Sequence, residues 1–213
     1  MKKIVFLAVL VLAVSAVPAK ATTCVPDSLA NYILAGSCTL DGLTFSAFSY
    51  IPTNAPPASS ITITPTLAGL IFAFNSSWVA SANQIVDSTI AFTITAASAI
   101  IKDLDLTLVA ASCSGTGTVT LTENAVSGGT GVATLGGILC SGGVPDLTTH
   151  IATFAPVSSL TVTKDLGLNG NSGSASVSQF NNSVSLVPEP GTLALFGSGL
   201  LGIAGLIRRK LTS

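Results

Sequence analysis

The chain has 213 residues, 48% of them hydrophobic and only 8% charged, with a formal net charge of −1. Most basic residues sit at the two ends. Between residues 22 and 187 only Lys102 and Lys164 face eight acidic residues, a net charge of −6. So little positive charge excludes nucleic-acid binding and attachment to anionic lipid by that region.

The chain opens with Met1-Lys2-Lys3, followed by an apolar run from Ile4 to Val17 interrupted only by Ser15. Pro18 ends the run, and Ala19-Lys20-Ala21 places small residues at the −3 and −1 positions of a cleavage site. This order predicts a secretory signal peptide over residues 1–21, with Ala19 and Ala21 forming the signal peptidase site. The lysines hold the start in the cytoplasm while the apolar run enters the bilayer. The run is short for a permanent span.

Residues 22–187 form one predicted exported domain. Asp27 or Ser28 can cap a short helix reaching Leu34. Beyond it the signal is β. Residues 61–64, 89–95, 104–108, 116–122, 160–163 and 175–178 alternate apolar residues with Thr, Ser or Asp. Such alternation puts one face in a core and the other in water. Gly, Pro, Asn and Ser clusters at 52–60, 127–131, 142–145 and 169–173 punctuate the strands. The expectation is an all-β, antiparallel β-sandwich, jelly-roll-like in arrangement.

All four cysteines, Cys24, Cys38, Cys113 and Cys140, fall in this region. An even number in an oxidising compartment predicts two disulfides. Of the three possible pairings, Cys24–Cys38 with Cys113–Cys140 closes the most local loops and is the one expected. The spacings do not suit zinc, and no metal or other cofactor is expected.

Chemistry for catalysis is thin. His150 is the one histidine, and no Gly-x-Ser-x-Gly elbow accompanies it. Asp103 and Asp105 share one face of a strand. They could act as paired acids or, with Asp87 or Glu123, hold calcium, but solvation of an exposed strand is the expected role. Trp78 with Tyr50, Phe72 and Phe74 could form a sugar-stacking platform. The two phenylalanines alternate on one strand and read as core, while Trp78 stays open. The domain is expected to be noncatalytic.

The tail reads Val187-Pro188-Glu189-Pro190-Gly191, then sixteen mostly apolar residues from Thr192 to Ile207, then Arg208-Arg209-Lys210. As a helix the apolar stretch reaches about 24 Å at 1.5 Å per residue. It can therefore cross a locally thinned bilayer, with the basic cluster in the cytoplasm. Two prolines keep the preceding segment extended, and Glu189 holds it at the outer interface.

Pro-Glu-Pro, one apolar helix and a basic end, in that order, resemble the PEP-CTERM sorting signal of Gram-negative bacteria. The resemblance covers residues 187–210. It implies processing by an exosortase, a membrane enzyme, in a host that makes extracellular polysaccharide. Pro188, Glu189 and Pro190 would be the recognition motif, and Arg208, Arg209 and Lys210 the retention signal, within a sorting segment spanning 188–213. A second resemblance lies upstream. Cys24-x4-Leu29-Ala30-x-Tyr32, Gly36-x-Cys38 and Asp41-Gly42-Leu43-Thr44-Phe45-x2-Phe48-x-Tyr50 look like the opening block of an ectodomain that recurs on PEP-CTERM proteins. Val162-Thr163-Lys164-Asp165-Leu166 looks like its closing block. Together they imply a structural or adhesive protein of the cell surface or exopolysaccharide matrix, passing transiently through the inner membrane. The rival readings are a carbohydrate-binding module and a secreted hydrolase.

Overall fold

The computed structural model describes residues 22–97, 99–188 and Ser198. The expected signal peptide, including Ala19 and Ala21, lies outside the described residues, as do Glu189, Pro190, Arg208, Arg209 and Lys210. No helix among the described residues is long and apolar enough to cross a membrane.

In chain order the elements are β1 (Thr22–Thr23), β2 (Asp27–Ser28), α1 (Leu29–Ala35), β3 (Ser37–Leu40), β4 (Leu43–Thr53), β5 (Thr62–Thr66), β6 (Ile71–Ala80) and β7 (Ile85–Ala96). They continue with β8 (Ala99–Ser114), β9 (Thr118–Ser127), β10 (Thr130–Ser141), β11 (Val144–Pro145), β12 (Thr149–Val157), β13 (Ser159–Asn169) and β14 (Ser174–Pro188). The strands form two sheets. The first runs β1-β3-β4-β7-β13-β9-β10-β11 and the second β12-β8-β14-β6-β5-β2. All pairings are antiparallel except the two-residue contact of β1 with β3. The chain is thus an all-β sandwich.

The period-two alternation reads directly into the layers. In β13, Leu160, Val162, Leu166 and Leu168 are buried, and in β8 so are Ile101, Leu104, Leu106 and Leu108. The aromatic rings fill the space between sheets. Phe45 of β4 stacks on Phe72 of β6 at 4.1 Å, and Phe74 stacks on Phe180 of β14 at 5.0 Å. Of the two caps that the sequence offers, the structure uses Ser28, and the helix runs from Leu29 to Ala35. Ser28 caps it by accepting from the Asn31 amide at 3.2 Å, while Asp27 and Ser28 pair with β5.

The last two strands take the central places. β13 inserts between β7 and β9, and β14 between β8 and β6. Both sheets are therefore completed only when the end of the domain is in place. Two disulfides brace the sandwich, Cys24–Cys38 with Cα atoms 4.9 Å apart and Cys113–Cys140 with Cα atoms 6.1 Å apart. The first links the N-terminal segment to β3. The second links β8 of one sheet to β10 of the other.

Candidate functional site

The residues singled out as candidate chemistry mostly serve the fold. Trp78 is fully buried and donates its indole N–H to Ser88 Oγ at 3.0 Å. Phe72 and Phe74 are fully buried, and Tyr50 donates to the Pro56 carbonyl at 2.7 Å. Among the described residues no aromatic ring stands exposed on the surface. Asp103 and Asp105 do share a face, but β8 is an interior strand, so they do not guard an open edge. Asp103 Oδ1 accepts from the Ser185 amide at 2.8 Å and Asp105 Oδ2 from Ser183 Oγ at 3.1 Å, both on β14. His150 Nε2 lies 3.3 Å from Asp146 Oδ2. No group of three or more potential metal ligands occurs among the described residues.

Glu123, offered by the sequence as a calcium ligand, faces the core instead. It sits on β9 at the apolar phase, between buried Leu121 and Ala125. Lys164 occupies the opposite position on β13, between Val162 and Leu166, and its Nζ bonds Glu123 Oε2. From the other sheet, Asn182 of β14 donates its Nδ2 to Glu123 Oε1 at 2.9 Å and to the Asp105 carbonyl at 3.1 Å. All three side chains are buried. An amine and an amide from the central strands of opposite sheets thus share one carboxylate.

Burial sets the protonation of this cluster. Desolvation raises the Glu123 carboxyl above its ordinary range, with the nearby Asp105 adding to the effect and Lys164 and Asn182 opposing it. Desolvation lowers the Lys164 amine, with Glu123 opposing. Both shifts favour the neutral acid beside the neutral amine, because a low-dielectric interior penalises each separated charge. The sequence carried a signal for the cluster that residue type alone hides. Glu123, Lys164 and Asn182 each stand in register with the apolar residues of an alternating strand, where a polar residue must find a buried partner.

The outer faces are different in kind. Cross-strand hydroxyl pairs run along them: Ser112 with Ser176 at 2.8 Å, Ser114 with Ser174 at 2.9 Å, Thr107 with Thr149 at 2.9 Å and Thr93 with Thr161 at 3.4 Å. A hollow of about 370 Å³ opens where β14 bulges between Val177 and Gln179, lined by Ser77, Ala110, Ser112, Ser176 and Ser178 among others. No ionisable side chain lines it.

At the end of β14, Leu186, Val187 and Pro188 stand in register with Ile101, Ile100 and Ala99 of β8. The strand ends on Pro188, the first residue of the Pro-Glu-Pro motif, and residues 186–210 match the PEP-CTERM protein-sorting motif. The chain carries an exosortase sorting signal. That signal implies export and processing by an exosortase, and the two disulfides agree with a location outside the cytoplasm. No curated protein matches the chain. Among solved structures, TmCBM61 in complex with beta-1,4-galactotriose is similar over 68% of this chain and 90% of its own, with a TM-score of 0.39 and 10% identity. The enzymatically active domain of bacteriophage CBA120 tailspike protein 4 is similar over 69% of this chain and 20% of its own, with a TM-score of 0.33 and 11% identity. Resemblances this distant transfer neither ligand nor activity.

Proposed function

We propose that this PEP-CTERM protein is a noncatalytic structural or adhesive component of the cell surface or exopolysaccharide matrix of a Gram-negative bacterium. One observation carries the reading. The sandwich turns its aromatic and strongly perturbed ionisable groups inward and presents ladders of neutral Ser and Thr hydroxyls outward. Hydroxyl faces exchange hydrogen bonds readily with water and with sugar hydroxyls, and they lack the convergent titratable groups that hydrolysis needs. Buried aromatics disfavour the rival reading of a carbohydrate-binding module built on ring stacking.

In this reading the domain is exported, held briefly by the segment 192–207, and cut near Pro188–Pro190. It then stays with the matrix. The test is fractionation in the native host. Wild-type protein should be recovered with the polysaccharide, and Glu189→Ala should remain in the membrane as a longer species. Equal mass and fraction for the two forms would remove the processing claim. Saturable binding to a single glycan on an array would favour the binding-module reading, and release of reducing sugar from matrix would favour a hydrolase.

A further inference from the structure

We propose that Lys164 and Asn182 become joined by a spontaneous isopeptide bond, promoted by Glu123, which crosslinks the two sheets through the core. The placement supports this directly. Lys164 Nζ bonds one oxygen of the Glu123 carboxylate and Asn182 Nδ2 bonds the other, at 2.9 Å. Lys164 comes from β13 at the centre of the first sheet and Asn182 from β14 at the centre of the second. The site is closed to water, with Lys164 and Glu123 at 0% exposure and Asn182 at 2%.

The chemistry balances without any further reagent. A proton passes from the Lys164 ammonium to the Glu123 carboxylate, leaving a neutral amine beside a carboxylic acid. The shifts described above run in this direction. The Nζ lone pair attacks Asn182 Cγ and a carbon–nitrogen bond forms. Glu123 then relays one proton from Nζ to Nδ2, the Cγ–Nδ2 bond breaks, and ammonia leaves. The product is a secondary amide, and the departing ammonia takes up the proton that Glu123 received from the Lys164 ammonium, which returns Glu123 to the carboxylate. The barrier is lowered in three ways. The partners are held together by the fold, the nucleophile is stripped of water, and one acid–base group reaches both nitrogens. An unreacted amine would remain as a buried group that a packed core otherwise disfavours.

The consequence is mechanical as well as chemical. The sorting motif begins at residue 186, within β14. Any pull on that end acts first on β14, and a covalent tie to β13 would carry the load into the other sheet.

Peptide mapping of the exported protein, purified from its host, reduced and denatured, decides the matter. A protease that cuts before aspartate separates residues 146–164 from the piece starting at Asp165, which contains Asn182. The expected result is that the two pieces stay joined, with a mass lower by one ammonia than their sum, and that fragmentation locates the link between Lys164 and Asn182. Two separate pieces of unmodified mass would overturn the proposal. In Glu123→Gln, with both disulfides formed and a native β spectrum, the pieces should separate. A crosslink that persists there would remove Glu123 from the chemistry. If that variant does not fold, the wild-type map alone still decides whether the bond exists.

Discussion

Trp78 and Ser88 meet across the sandwich, the indole N–H of β6 donating to the hydroxyl of β7 at 3.0 Å. Tyr50 on β4 reaches the same hydroxyl at 3.1 Å. One serine, 1% exposed, thus gives the buried Trp78 N–H its acceptor and also meets the Tyr50 hydroxyl, which has a second partner in the Pro56 carbonyl.

Replacing that serine should be costly for its size. Ser88→Ala leaves the Trp78 N–H without its partner, and an unmet buried donor costs about 1–3 kcal/mol. Urea unfolding followed by tryptophan fluorescence should show a lower midpoint with an unchanged slope. An unaltered midpoint would mean that the hydrogen bond contributes nothing net.

The disulfides should contribute unequally to the sandwich. Each can stabilise by about 2–4 kcal/mol. Cys113–Cys140 spans 27 residues and ties the two sheets, whereas Cys24–Cys38 spans 14 and ties the N-terminal segment to an edge. Loop closure entropy grows with loop length. A Cys113→Ala/Cys140→Ala protein should therefore melt below one lacking only Cys24 and Cys38. Nonreducing peptide maps should show these two pairings and no free thiol, and a Cys24–Cys140 peptide would contradict them.

Alkaline pH should loosen the core by way of its tyrosines. Burial, with the Asp27 carboxylate second, pushes Tyr32 up to about 12 from an ordinary 10.0. Burial also raises Tyr50, against the opposing hydrogen bonds of Ser88 and Trp78. A group with a raised folded value stabilises fully below its unfolded value and loses that contribution as pH climbs through the folded one. Stability should accordingly decline between about pH 10 and pH 12. Phenolate absorbance should appear later on titration of native protein than of protein in denaturant. Coincident curves would show that the phenols are freely hydrated.

Much of the fold was legible because alternation is a local property. Segments such as 89–95 and 160–163 name their buried face wherever they pair. Their Thr-rich outer positions made the sandwich readable before any partner was known. The strand β10 carries no regular alternation, because Gly136-Gly137 and two register shifts break it. The Asp103–Asp105 pair shares one strand face as expected, but that strand is interior and not exposed, and both carboxylates bond β14. Nothing local says that β14 lies beside it.

The sequence by itself determined the export and sorting logic, the β class and the inward phase of each regular strand. Those depend on composition, order and a two-residue period. Only the tertiary structure decided which strands became neighbours, that β13 and β14 occupy the centres of opposite sheets, and that Glu123, Lys164 and Asn182 meet. Positions separated by 41 and 59 residues have no local relation. Their contact follows from sheet order and from the need of each buried polar group for a partner.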